Sequence, residues 1–157
     1  MKITLILNGK TEEDYLITGI SAYEKRLKHY IPFEILVIPA LKNTKALSIE
    51  QQKEREGELL FKELESSDKL ILLDENGKEY NSVEFSGFLQ QQMNSGIKNL
   101  VLVVGGPYGF SDAVYKRANG KIALSKMTFS HQMVRLFFVE QLYRGMTILK
   151  NEPYHHQ

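Results

Sequence analysis

Short apolar runs alternate with longer amphipathic stretches along the chain. The most uniform run is Leu-Val-Leu-Val-Val at residues 100–104, which has no polar break and is mostly β-branched. This pattern is typical of a strand whose two faces are both buried, as in a parallel sheet. Comparable runs predict further strands at residues 2–7, 34–38, 69–73 and 121–124.

The stretches between these runs carry apolar residues at helical spacing. They predict helices at residues 12–29, 48–65, 82–95, 111–118 and 130–149. Ser48, followed by Gln51, predicts a capping box for the second helix, and Ser82 is expected to cap the third. Because strands and helices alternate, the chain is predicted to form one α/β domain, residues 1–157, with a mainly parallel sheet flanked by helices.

The last predicted helix is apolar on most of its circumference, and such a helix must be buried on more than one side. Either it is a central helix of one chain, or a second subunit covers it in a two-fold dimer, the interpretation we favour. Glu140 precedes Arg144 by four residues, so the two side chains can form an ion pair. Arg135 lies in the same apolar surface and needs a partner of its own, because a buried guanidinium without hydrogen bonds is costly.

The composition narrows the kinds of site that the chain can carry. The absence of cysteine excludes disulfides, a thiol nucleophile and cysteine-based metal centres, and it fits a reducing cytoplasm. No apolar run approaches the length needed to span a membrane. Residues 1–114 carry 13 Lys/Arg against 17 Asp/Glu, whereas residues 115–157 carry 7 against 2. The basic C-terminal segment either meets phosphate groups or is simply a solvated surface.

The central run ends in the loop Gly105-Gly106-Pro107-Tyr108-Gly109. In open α/β sheets, ligands bind outside the carboxyl ends of the strands, and glycine lets a ligand approach the backbone closely. This loop is therefore the first candidate binding site, with a tight turn that binds nothing as the alternative. The loop matches neither the dinucleotide-binding fingerprint nor the phosphate-binding loop of nucleotide hydrolases.

Longer motifs give a more specific indication. They are Ile-Leu-Leu-Asp at residues 71–74 with Gly-Lys at 77–78, Val-Gly-Gly-Pro-Tyr-Gly at 104–109, Leu-Ser-Lys-Met-Thr-Phe-Ser-His-Gln-Met-Val-Arg at 124–135, Glu-Gln-Leu-Tyr-Arg at 140–144 and Pro-Tyr-His at 153–155. With these motifs the chain resembles the RlmH family, the 23S ribosomal RNA (pseudouridine-N3) methyltransferases of the SPOUT class. The resemblance runs from the first predicted strand to the C-terminal tail, residues 151–157.

The resemblance implies S-adenosylmethionine as the cofactor, with no metal and no membrane partner. It implies a C-terminal trefoil knot, an obligate homodimer, and a pseudouridine of 23S rRNA in the assembled ribosome as the substrate. The cofactor is expected to lie among three loops, each at the carboxyl end of a predicted strand. The implied contacts are Leu73, Gly105, Gly106, Leu124, Ser125, Lys126, Met127, Thr128 and Phe129.

Four further residues are candidates for the chemistry of methyl transfer. His131, His155 or solvent can accept the proton that leaves N3, and Tyr154 can stack on a base. Arg135 either contacts RNA or the active site, or is a structural residue of the interface. Two other functions stay open at this point, namely a non-catalytic ribosome-binding or assembly factor of the same fold, and a SPOUT methyltransferase that acts on another RNA.

Overall fold

Five parallel strands form one sheet in the order β2-β1-β4-β3-β5. The computed structural model describes residues 1–156, so Gln157, the last residue of the C-terminal tail, lies outside the described residues. The strands are β1 (Lys2–Asn8), β2 (Phe33–Ile38), β3 (Lys69–Glu79), β4 (Asn99–Val104) and β5 (Gly120–Ala123). The prediction of an α/β fold with a mainly parallel sheet is confirmed.

Helices cover both faces of this sheet. They are α1 (Asp14–Leu27), α2 (Ile49–Lys62), α3 (Ser82–Asn94), α4 (Asp112–Arg117) and α5 (Met133–Leu149). One core cluster contains side chains from α1, α3 and α5, and the cluster on the other face contains side chains from α2 and α4. Within residues 1–156, no helix combines the length and the apolar character that crossing a membrane requires.

The central strand β4 contributes side chains to both core clusters. Leu100 and Leu102 pack with α1, α3 and α5, whereas Val101 and Val103 pack with α2 and α4. All four side chains are buried, because successive residues of a strand point to opposite faces and both faces are covered. The uninterrupted apolar run at residues 100–104 therefore indicated a two-sided strand correctly.

Strand β3 is longer than its apolar run predicts. It ends at Glu79 instead of residue 73, with an irregularity after Leu73, and its last residues pair again with β5. A side chain at Gly77 would place Cβ 2.6 Å from backbone atoms of Ile122, so only glycine allows this close pairing. The prediction failed because residues 74–78 are polar and carry no apolar alternation that would indicate a strand.

Capping side chains define the beginnings of three helices, and at α4 the Ser111 Oγ accepts from the amide of Val114 at 3.3 Å. Ser48 and Gln51 form the predicted capping box, with hydrogen bonds of 3.1 Å and 3.0 Å. The cap of α3 is Asn81 with Glu84, and the prediction of Ser82 in that role was wrong. An asparagine at this position supplies a side-chain oxygen that reaches the amide three residues later, as serine would.

Helix α5 lies between α1 and α3, and its buried face contains Phe138, Val139 and Leu142. It begins at Met133, three residues later than predicted, and Ser130 Oγ accepts hydrogen bonds from the amides of Gln132 and Met133. The opposite side of α5 retains apolar exposure, since Phe137 is 42% exposed. The helix is thus central within the chain and still presents an apolar side chain to the outside.

Candidate functional site

A cavity of about 350 Å³ opens where the apolar parts of β3, β4 and β5 end. Its walls come from Leu73 and the polar residues that follow it, from the glycine loop after β4, and from the loop after β5. The carboxyl ends of neighbouring parallel strands meet at one edge of a sheet, which explains how segments far apart in sequence come together. The volume lies within the range of small-molecule binding sites.

Most of the cofactor contacts implied by the family resemblance line this cavity. They are Leu73, Gly105, Gly106, Leu124, Ser125, Met127, Thr128 and Phe129. Lys126 is the exception, because its side chain is 88% exposed and its Nζ lies 4.0 Å from Glu79 Oε1. The structure therefore brings eight of the nine implied contact residues together at one cavity. That they bind a cofactor stays a prediction.

The glycine loop fits tightly between its neighbours. A Cβ at Gly105 would lie 2.9 Å from Cζ of Phe110, whose ring packs beneath the loop. A Cβ at Gly106 would lie 2.9 Å from both Asn8 Nδ2 and Glu56 Oε2. Both positions therefore exclude a larger residue without displacement of a neighbour, and the backbone remains accessible on the cavity side.

Two carboxylates line another wall of the cavity. Asp74 accepts hydrogen bonds from the amide of Asn76, at 2.8 Å, and from the hydroxyl of Tyr115. Burial, together with this hydrogen bond, raises the pKa of Tyr115 to about 12. Glu75 Oε2 accepts a 3.0 Å hydrogen bond from Thr128 Oγ1. Among residues 1–156, no three His, Asp or Glu side chains cluster closely enough to hold a metal ion.

These acidic residues were missed in the sequence analysis. Asp74 and Glu75 follow directly after the predicted end of a buried strand, a position that generally faces a ligand site in open α/β sheets. Their position directly after the apolar run was the feature of the sequence that could have identified them as cavity residues. Nothing in the local sequence indicates that Tyr115, which is 41 residues away, completes this wall.

His131 lines the cavity, but the side chain of Arg135 does not. The guanidinium is fully buried and donates to the carbonyl oxygens of Asn8 and Gly9 at 2.9 Å, and to that of His131 at 3.1 Å. Thr11 Oγ1 accepts a further hydrogen bond at 3.1 Å, and burial lowers the pKa of Arg135. Of the two roles considered, this arrangement favours a structural one, and a role in catalysis stays a prediction.

Tyr154 and His155, the two candidates in the C-terminal tail, pack against α5 and do not line the cavity. Tyr154 donates to Glu140 Oε1 at 3.0 Å, and its hydroxyl oxygen is 3.0 Å from that of Tyr23. Arg144 Nη1 lies 3.2 Å from His155 Nδ1, and its Nη2 forms the predicted ion pair with Glu140 at 2.6 Å. Burial raises the pKa of Tyr154. Of the four candidates for the chemistry, the structure brings only His131 to the cavity wall.

Known proteins similar to this chain share its full length. A family model described as "Predicted SPOUT methyltransferase" matches residues 1–155. The chain is 63% identical to the Ribosomal RNA large subunit methyltransferase H of Flavobacterium johnsoniae and 64% identical to that of Flavobacterium psychrophilum. It is 62% identical to the protein of that name from Parabacteroides distasonis. Each of these alignments spans 157 residues and covers 100% of both proteins.

Proposed function

The chain belongs to the SPOUT methyltransferase family, and on that premise we propose that it transfers a methyl group from S-adenosylmethionine to N3 of a pseudouridine in 23S rRNA. The observation that carries the proposal is the cavity at the carboxyl edge, where eight of the implied cofactor contacts meet. Full-length relatives that are 62–64% identical are named methyltransferases of large-subunit ribosomal RNA, which supports the same substrate class here.

The chemistry of the cavity fits this cofactor. Leu73, Leu124 and Phe129 offer apolar surface to an adenine ring, and the glycine loop offers backbone donors and acceptors to polar groups. The wall formed by Asp74 and Glu75 suits a ligand that carries positive charge. These residues would hold the cofactor, and the opening of the cavity would admit the RNA base.

When bound, the cofactor supplies a methyl group that is already activated by the positive charge on sulfur. The protein's task is then to hold the acceptor nitrogen in line with that methyl group and to exclude other geometries. His131 is our candidate for the group that accepts the N3 proton, because it lines the cavity. His155 is hydrogen-bonded to Arg144 on α5, so within one chain it is less well placed for that role.

We include a homodimer in the proposal. Tyr15 and Ile17 on α1 are 62% and 45% exposed, and Phe137 on α5 is 42% exposed. Phe137 also packs against Phe129 of the cavity wall, with the ring centroids 5.4 Å apart and the ring planes tilted by 44°. A second copy of the chain would cover these apolar side chains and bring its own surface next to the cavity. The C-terminal trefoil knot, the single-domain organisation and a cytoplasmic location are further parts of the proposal.

The substrate that we propose is the assembled ribosome and not free RNA. The net charge of the chain is only +1, so few phosphate contacts are available to hold naked RNA. A ribosome presents the target loop in one conformation and adds protein and RNA surfaces on which the enzyme can dock. This arrangement compensates for weak electrostatic attraction.

Two measurements test the proposal together. Calorimetric titration of the wild-type protein with S-adenosylmethionine should show binding, and incubation with ribosomes from cells that lack the modification should yield 3-methylpseudouridine in 23S rRNA by nucleoside mass spectrometry. Equal methylation of protein-free 23S rRNA would contradict the ribosome as the preferred substrate. A protein that binds neither the cofactor nor its product would instead support a non-catalytic assembly factor, and methylation of another RNA would support the remaining alternative.

A further inference from the structure

The charged side chains that line the proposed cofactor cavity have the same sign. Asp74 and Glu75 belong to its lining, whereas the described lining residues include no lysine or arginine. Two lysines are near but do not face the cavity. Lys126 extends into solvent toward Glu79, and Lys121 lies over the Tyr115 ring and lines a neighbouring cavity.

The hydrogen bonds of the two carboxylates leave their negative charge uncompensated. Asp74 accepts from a backbone amide and a tyrosine hydroxyl, and Glu75 accepts from a threonine hydroxyl. All three donors are neutral, so they fix the positions of the oxygens without cancelling the charge. Asp74 is half-buried and Glu75 is exposed, so solvent screens the field of Asp74 less.

The methyl donor and its product differ in charge as well as in size. S-adenosylmethionine has a positively charged sulfonium, and S-adenosylhomocysteine has a neutral thioether, while the nucleoside and the amino-acid portions are identical. The ratio of the two affinities therefore reports the interaction of the protein with the methylsulfonium group, and its change when a carboxylate is neutralised reports the contribution of the charge. A negative field in the cavity strengthens binding of the donor and not of the product.

We propose that Asp74 and Glu75 are specificity-determining residues that raise the affinity of the cavity for S-adenosylmethionine relative to S-adenosylhomocysteine. This inference rests on the proposed function, since it assumes that cofactor. Its consequence is that methyl transfer itself weakens the hold on the cofactor, so that product release is favoured after each reaction. Asp74 should contribute more than Glu75 because it is less exposed.

The test is calorimetric titration of the full-length protein with both compounds, in the wild type and in Asp74→Asn and Glu75→Gln. Both substitutions remove a charge and keep a hydrogen-bonding group for the neighbouring donors. Asp74→Asn should lower the ratio of product Kd to donor Kd by about threefold, and Glu75→Gln should lower it by less. Glu58→Gln, an exposed residue of α2 outside the cavity lining, removes the same charge and should leave the ratio unchanged.

Salt gives a second measurement, on the wild type and on the double variant that carries both Asp74→Asn and Glu75→Gln. If the field of the carboxylates sets the ratio, raising the ionic strength should lower it in the wild type and change it less in the double variant. Thermal melting of each variant measures whether the fold is retained. If Asp74→Asn does not fold, the affinity ratio of Glu75→Gln, a substitution at an exposed site, decides the outcome.

The outcomes separate this inference from the proposed function. If both compounds bind and neither substitution changes the ratio of their affinities, the inference is overturned and the proposed cofactor stands. If the wild-type protein binds neither compound, the proposed function itself fails. A parallel loss of affinity for both compounds would assign the carboxylates to a part of the ligand that the two share, and this too overturns the inference.

Discussion

Arg135 Nε donates a 3.1 Å hydrogen bond to the carbonyl oxygen of His131, so a buried side chain in the first turn of α5 holds the backbone of a residue on the cavity wall. The same guanidinium binds the carbonyl oxygens of Asn8 and Gly9, at the carboxyl end of β1. One side chain thereby connects the loop after β1 with the segment that closes the cavity. The position of His131 depends on this connection.

Replacing Arg135 should lower the stability of the folded protein. Arg135→Ala leaves buried carbonyl oxygens without donors, and we expect the free energy of unfolding to fall by about 3 kcal/mol, measured by urea denaturation. Arg55→Ala, at an exposed position of α2, should change it by less than about 0.5 kcal/mol. A variant of Arg135 with unchanged stability and no methyl transfer would support a catalytic role instead.

The glycine loop should tolerate no added methyl group at Gly105. In Gly105→Ala, the new Cβ would displace the Phe110 ring, and the resulting change of the cavity should weaken binding of S-adenosylhomocysteine by about tenfold. Gly87→Ala is the matched control, since nothing lies within 4 Å of a Cβ there and the position is within α3. That control should bind normally and unfold at a slightly higher temperature. Normal binding by Gly105→Ala would exclude this loop from the cofactor site.

His131 should affect the rate of transfer more than cofactor binding. If it accepts the N3 proton, His131→Asn should lower kcat on ribosomes by about 10²- to 10⁴-fold and leave the affinity for S-adenosylhomocysteine unchanged. His29→Asn, an exposed residue beyond the end of α1, serves as the control and should leave both unchanged. Wild-type kinetics in His131→Asn would exclude His131 and leave His155 or solvent as the acceptor.

Removal of the end of the tail should separate binding from catalysis. Tyr154 and His155 contact α5 and do not line the cavity, so deletion of residues 153–157 should leave affinity for S-adenosylhomocysteine intact and abolish methyl transfer. Tyr154→Phe keeps the aromatic ring and should retain more activity than the deletion, because stacking on a base needs only the ring. Lost affinity in the truncated protein would mean that the tail completes the cofactor site.

The exposed aromatic residue of α5 offers a test of the dimer. Phe137→Lys should give a monomer at concentrations where the wild type is dimeric, because the two-fold interface would lose about 3–6 kcal/mol of apolar burial from its two copies. Light scattering coupled to size-exclusion chromatography measures the mass directly. Phe61→Lys places the same substitution at an exposed position of α2, on the other face of the sheet, and should remain a dimer. Dimerisation of the Phe137 variant would locate the interface elsewhere.

Features that depend on neighbouring residues were predictable from the sequence. The two-sided burial of β4, the capping box of Ser48 with Gln51, and the ion pair of Glu140 with Arg144 each follow from a short pattern and a fixed local geometry. The gathering of glycine and loop residues at one edge also followed, since parallel strands place their carboxyl ends together.

The tertiary structure decided the relationships that span the chain. Asp74 meets Tyr115 across 41 residues, Arg135 reaches Gly9 across 126, and Tyr154 meets Tyr23 across 131. A local pattern can indicate that a buried arginine needs partners, but the carbonyl oxygens that satisfy it depend on how helices and strands pack. The sequence by itself therefore determined the order and type of the elements and the edge of the sheet at which the cavity opens. Packing over long separations decided the contact of Asp74 with Tyr115 in the cavity wall, the position of Arg135, and the placement of Tyr154 and His155 outside the cavity lining that contains His131.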